Sequence, residues 1–374
     1  MSNQFVLHAT RVARSSLLVV ASACASAGMG SSSAPAGSQT NGPMAQPGNG
    51  WRVTTLEHVD LWLHGFALLT SDTGRVPFFA RGYKQQMTAL KRQRNTYTLL
   101  DANQQDLSAR FAANPSLASG QFAAMYFPSF QAIVNATDLF VRANGDPRAA
   151  SDLQSQQEIA LLASSFPSPA DRNWLRLFVQ SLQDENTRFY NAYWGTEQQN
   201  RGAALGAFRE AWMSRYYPRL SRFLNNTQQS AGRLVLSLPL GGEGRTISDG
   251  KQANMIAVDF PATVDESPDA VFTFVHEAVS RLVEEAIRDN TTPAEQRSGS
   301  SAGFSGNGAV RAGAVLLQRT SPEILAAYMR FYLRTRGSAI PAGDPSAAFA
   351  AAFPIPAAIL AAVTRQIDVV LGGI

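Results

Sequence analysis

The chain is expected to fold as an α+β protein in which helix predominates, and three observations carry that expectation. Apolar residues recur at helical spacing through most of the length from residue 54 to residue 371. Only two runs read as strands, Gly232–Leu238 and Met255–Phe260, enough for a small antiparallel sheet in the C-terminal part. No period of fixed length repeats, which argues against a solenoid.

Taken in order, the first helix is expected over Thr54–Thr70. Thr54 and Glu57 have the spacing of a capping box, and Leu56, Val59, Leu63 and Phe66 share one face. The pattern then predicts helices over Lys84–Ala112, Gly120–Ala143, Asp152–Ser164, Ala170–Tyr193 and Gly202–Leu224, the last interrupted by Pro218. The texture changes at Gln228, where the two strand-like runs begin, joined in part by Gly241-Gly242-Glu243-Gly244. Helix returns over Pro268–Arg288, with Val271, Phe272, Val275, Val279, Leu282 and Ala286 as its apolar face. A Gly/Ser-rich loop is expected over Ser298–Gly308, followed by helices over Ala309–Gln318 and Pro322–Thr335. Residues 347–363 are apolar, but Pro354 and Pro356 break the run and Arg365 and Asp368 follow it. A buried terminal helix at 357–371 is therefore expected rather than a membrane span.

The N-terminus has the layout of a bacterial secretory signal. Residues 1–16 carry Arg11 and Arg14 and no acid, Leu17–Val20 form an apolar centre, and small residues precede Cys24, the chain's single cysteine. The ending Ala21-Ser22-Ala23-Cys24 resembles the lipobox of bacterial lipoproteins, although Ala21 stands where Leu is usual. The resemblance implies that Cys24 is lipidated, becomes the new first residue and anchors the chain to a membrane of the cell envelope. Ala25 in place of Asp after the cysteine suggests the outer membrane, with the protein facing the periplasm or the cell surface. An ordinary cleaved signal of A-x-A type, and hence a secreted protein, is the alternative. Residues 25–50 are almost all Ser, Gly, Ala, Pro, Asn and Gln, too polar to bury a core, and read as a flexible tether.

Composition excludes several chemistries. Beyond Cys24 there is no thiol, so disulfides, thiolate metal sites and a cysteine nucleophile are ruled out from Trp51 onward. The formal charge is +4, with basic residues scattered among acids rather than gathered in a stripe, so nucleic acid is not an expected partner.

Chemistry is expected in Phe274-Val275-His276-Glu277-Ala278-Val279-Ser280. A zinc-peptidase helix presents H-E-x-x-H because residues four apart share a face. Its two histidines bind one metal ion, and its glutamate activates the bound water. Here His276 and Glu277 are present, and Ser280 stands at the second histidine position. With a strand before the pair, and a polar loop and further helices after it, the stretch from Phe208 to Tyr332 resembles the zincin-like metallopeptidases of gluzincin type. The resemblance implies His276 as first metal ligand, Glu277 as general base and a glutamate on a later helix as third ligand. The expected later helix, at Val310–Ala314, has no acid. Glu295 and Glu323 each follow an S/T-Pro step and read as first-turn acids of their helices. A neutral hydroxyl at Ser280 is a poor zinc ligand. No cofactor is therefore expected, although zinc is the one the resemblance allows.

Other readings compete for the same residues. Glu277 and Arg281, like Glu284 and Arg288, have the spacing of exposed helix ion pairs. His58 and His64 lie six apart, about 240° round one helix, and cannot chelate an ion together. Gly299-Ser300-Ser301-Ala302-Gly303 matches G-x-S-x-G without the preceding strand or following histidine that a nucleophile elbow needs. Arg245 and Arg311 are candidates for holding an anionic ligand. The aromatic clusters at 126–130 and 189–194 could line a peptide or glycan groove, but their spacing suits a core better.

The organisation expected is a signal with lipobox at 1–24, a tether at 25–50, a helical part at 51–226 and a zincin-like part at 227–374 packed on it. The expected function is a lipid-anchored envelope protein with a degenerate metallopeptidase-like domain, binding or scaffolding a peptide, protein or glycan ligand. An active zinc hydrolase with a non-standard site, and a purely structural helical lipoprotein, are the alternatives.

Overall fold

The computed structural model describes residues 50–70, 77–248, 253–297 and 303–372. The signal, Cys24 and all of the tether but Gly50 lie outside them. The fold is α+β with helix predominant. Its elements run β1 (Trp51–Thr54), α1 (Glu57–Leu69), α2 (Tyr83–Gln93), α3 (Leu99–Ala113), α4 (Phe130–Arg142), α5 (Leu153–Ser165), α6 (Pro169–Glu185), α7 (Asn191–Asn200), α8 (Gly202–Ala211) and α9 (Tyr217–Asn226). There follow β2 (Gly232–Ser237), β3 (Arg245–Ser248), β4 (Asn254–Asp259), α10 (Asp269–Asp289), α11 (Pro293–Arg297), α12 (Gly303–Thr320), α13 (Leu325–Arg336), α14 (Ser346–Ala352) and α15 (Ala357–Val370).

The sheet is mixed rather than antiparallel. Its order is β1-β2-β4-β3, with β1 parallel to β2, β2 parallel to β4 and β3 antiparallel to β4. The cause is the stretch read as a plain connection. Arg245 opens a short strand that takes the outer edge beyond β4, so β4 lies between β3 and β2 and runs with β2. Thr54, expected as a helix cap, is instead the last residue of β1, and α1 begins after Leu56 with no side-chain cap. The helical part thus contributes a strand to the sheet of the C-terminal part, and one apolar core runs through both.

Most helices fall where periodicity puts them, and the departures have local causes. The helix expected over Lys84–Ala112 divides because Asn95 takes φ 51° and Thr98 restarts the chain as a cap, its side chain and that of Asp101 bonding each other's backbone. Residues 115–126 form 3₁₀ turns rather than the start of α4. Pro218 does not break its helix. A π-turn over Trp212–Tyr216 precedes α9 and places the proline in the first turn, where its missing N–H is tolerated. The Gly/Ser stretch is shorter as a loop than expected, since α12 starts at Gly303. Asn307 Nδ2 donates to the Pro354 carbonyl, and Gly308 lets α12 close on α10, because a Cβ there would lie 2.6 Å from Val283 Cγ1. No single helix among the described residues is long and apolar enough to cross a membrane, and α14 and α15 meet at a bend of 116°.

Candidate functional site

The His-Glu pair lies on α10, which packs against β3 and β4 on one side and α12, α13 and α15 on others. A helix enclosed in this way buries residues at every angle round its axis, and Ala270 to Val279 are all buried. A polar side chain in that stretch loses water and gains from a partner inside the protein. Glu277 finds three. Its Oε1 accepts from the Gly244 amide at 3.3 Å and faces His276 Nδ1 at 3.1 Å, while its Oε2 accepts from the Thr246 hydroxyl at 2.8 Å. Gly244 is required at that approach: a Cβ would stand 2.8 Å from Glu277 Cγ and 2.5 Å from the Ala257 carbonyl oxygen.

His276 is fully buried, its ring stacked on Tyr332 with centroids 6.0 Å apart. Its Nδ1 is engaged by the Glu277 carboxylate, and its Nε2 has no hydrogen-bond partner among the described residues. Nε2 is sealed from solvent as well as unbonded. Ser280 does not face it, because its hydroxyl donates to the His276 carbonyl of the same helix at 2.8 Å.

Zinc, which the resemblance implies, does not fit these residues. Among the described residues no three His, Cys, Asp or Glu side chains converge as a metal would need. The later acids are used elsewhere. Glu295 accepts from the Thr292 amide and hydroxyl as a first-turn acid, and Glu323 pairs with Arg215 and Arg219. Asp344 accepts from the Ser346 amide, and Asp368 pairs with Arg319.

The edge strand that Glu277 meets is covered. Arg245 donates to Glu243, to the Gly244 carbonyl and to Gln121 of the 3₁₀ segment, and its guanidinium lies 3.3 Å over the Phe78 ring. Arg245 therefore closes this edge instead of offering a charge to a ligand. The expected Glu277–Arg281 pair does not form, since Glu277 turns inward and Arg281 pairs with Glu285. Arg288 pairs with its neighbour Asp289 rather than with Glu284.

A second polar centre, not expected from the sequence, lies in the helical part. His64 of α1 contacts Glu185 of α6 through Nε2 at 3.0 Å and the Tyr83 hydroxyl through Nδ1 at 2.9 Å. The Lys91 ammonium stands 2.7 Å from Glu185 and 2.7 Å from Asp101, and the Thr98 hydroxyl also donates to Glu185. Burial lowers the His64 pKa, against the hydrogen bond and charge of Glu185, which raise it. Burial alone would raise Glu185. The His64 hydrogen bond and the nearby positive charge outweigh it and hold the carboxyl at about 2. Close by on α1, Asp60 accepts from the Trp194 indole at 2.9 Å, and burial pushes its carboxyl up to about 7 despite that bond. The signal for this centre was Asp60 and His64 within the mainly apolar run Val59–Leu69 of α1; the positions of Glu185 and Lys91 carried none. His58, on the same helix, is drawn down to about 4 by burial and takes no part in the network.

The aromatic clusters are mostly core, as their spacing suggests, though Tyr126 is exposed and Phe130 and Trp194 are half-buried. Phe127, Phe189, Tyr190 and Tyr193 are buried. Residues 298–302, most of the G-x-S-x-G match, lie outside the described residues. Cys24 does too. Compared with protein-family models, curated proteins and solved structures, the chain matches none.

Proposed function

We propose that this chain is a lipid-anchored envelope protein whose zincin-like C-terminal part no longer carries out metal chemistry and acts by binding or scaffolding. One observation carries the proposal: both oxygens of Glu277 are taken by donors of the protein, two of them on the segment that leads into and forms the edge strand. A general base must present a free oxygen to water. Here that carboxylate braces α10 against β3. With Ser280 turned to its own helix and His276 as a lone buried imidazole, too few donors are left to hold a catalytic ion. The lipobox and the tether support anchoring at Cys24, with the folded part held off the membrane to meet a peptide, protein or glycan ligand.

Two measurements test this. Zinc in the purified protein, compared with a His276→Ala variant, is expected to stay far below one ion per chain in both. Stoichiometric zinc lost in the variant would establish the active-hydrolase reading instead. Membrane fractionation is expected to find the wild type in the envelope and Cys24→Ser in the soluble fraction. Equal solubility of both would make the protein a secreted one.

A further inference from the structure

A groove of about 370 Å³ opens between α12, α13, α14 and α15, separate from the His276–Glu277 pair. Its volume lies toward the small end of ligand pockets. On α12 it is lined by Arg311, Ala314, Val315 and Gln318, one face of the helix at i, i+3, i+4 and i+7. Met329, Phe349 and Leu360 supply the apolar wall opposite. Gln318, Arg319, Ser346 and Thr364 add polar groups, so the groove is a slot with an apolar wall, polar side chains and the Arg311 guanidinium at its side.

That guanidinium lacks the partner its surroundings call for. Arg311 is half-buried, yet no carboxylate among the described residues pairs with it. Its one hydrogen bond runs from Nη1 to the Ala350 carbonyl at 3.4 Å, a long contact, and it lies 5.8 Å from the Phe349 ring centroid. Burial is the sole influence on its pKa, which it lowers. Arg319, the other cation of the groove, is already held by Asp368. One unpaired guanidinium matches one carboxylate, which it grips through two parallel N–H bonds. The apolar wall matches a hydrocarbon tail, and the small volume limits that tail to a short one.

We propose that this groove binds a medium-chain aliphatic carboxylate, its head on Arg311 and its tail along Val315, Met329, Phe349 and Leu360. The inference does not depend on the fate of the metal site.

Calorimetric titration of the purified protein with decanoate, kept below its aggregation concentration, tests the assignment, with decanol as the uncharged control. Decanoate is expected to bind one to one and decanol at least tenfold more weakly. Arg311→Gln is expected to weaken decanoate at least tenfold while leaving decanol unchanged, and Arg311→Lys to recover part of the loss. Thermal melts of each variant separate loss of the head-group contact from loss of the fold. Failure of decanoate to bind the wild type, equal binding of decanol, or undiminished binding to a folded Arg311→Gln variant would each overturn the proposal.

Discussion

Two buried histidine–glutamate pairs occupy the two parts of this molecule, and they do different work. His276 and Glu277 are neighbours in sequence, on one helix, and their further partners include a backbone amide and a threonine hydroxyl. His64 and Glu185 lie 121 positions apart, on two helices, and a lysine ammonium completes their contact. The first pair has the look of a motif and ties a helix to a strand. The second has no motif at all and joins α1, α2, α3 and α6 through charge. Adjacency in sequence made the first conspicuous; the larger energy lies in the second, because an ion sealed away from water binds its counter-ion strongly and suffers heavily without it.

The largest expected effect follows from that difference. Lys91→Met leaves the Glu185 carboxylate buried with its lysine counter-ion gone, and should lower stability by about 3–5 kcal/mol. Glu185→Gln in the same chain removes the stranded charge and should recover most of the loss. Urea unfolding of both variants reads this directly. A Lys91→Met loss no greater than that of a Glu277 variant would erase the distinction between the two regions.

The helical region should also contribute to the response to pH, with two opposite signs. Glu185 is held at about 2 in the folded protein, below its ordinary 4.5. The stability it contributes is complete above pH 4.5 and is lost as pH falls from there toward 2. Asp60 is raised to about 7 from 3.8. Between those values the folded state holds a proton that the unfolded state has released, so stability declines from about pH 4 to about 7 and levels off above. Asp259 on β4, also raised to about 7 by burial, acts with the same sign, while His58, lowered to about 4, acts against both. The two aspartates together should make the protein melt at a higher temperature at pH 5 than at pH 8. Asp60→Asn should shrink that difference, and an unchanged profile in the variant would remove Asp60 as its source.

In the C-terminal part, Glu277→Ala leaves the Gly244 amide and the Thr246 hydroxyl without their acceptor in a buried place. The expected loss is about 1–3 kcal/mol, with zinc content unchanged. A loss of metal with little loss of stability would make Glu277 a site residue and not a brace.

How much of this was legible depends on how far apart the partners lie. Helix positions were readable because periodicity is a local signal, and Glu295 was readable as a first-turn acid because Thr292-Pro293 stands beside it. The edge strand was not. Arg245–Ser248 is four residues long, alternates little, and owes its existence to pairing with β4. Thr54 had every local feature of a helix cap and was claimed instead by a parallel partner some 180 positions away, a contact no window of sequence contains. His276 and Glu277 were visible as a pair, but the direction of the carboxylate depended on Gly244, whose missing side chain admits it.

The smallest effect tests that direction on α10 itself. Arg281 and Glu285 form an i, i+4 pair at 3.2 Å, with the arginine side chain 63% exposed. Water and salt screen such a pair, and holding two long side chains together offsets much of its attraction, so Arg281→Ala should lower stability by only about 0.3–0.5 kcal/mol. The loss should fade at high salt, where the Debye length shrinks to about 3 Å at 1 M. Glu277 lies one turn earlier on the same helix, and a carboxylate bonded to Arg281 on the surface would share that salt sensitivity. One turned inward to Gly244 and Thr246 is shielded from it, so Glu277→Ala should be equally destabilising in low and high salt. Matching salt dependence for the two variants would put Glu277 back on the solvated face, and with it would go the brace on which the non-catalytic reading rests.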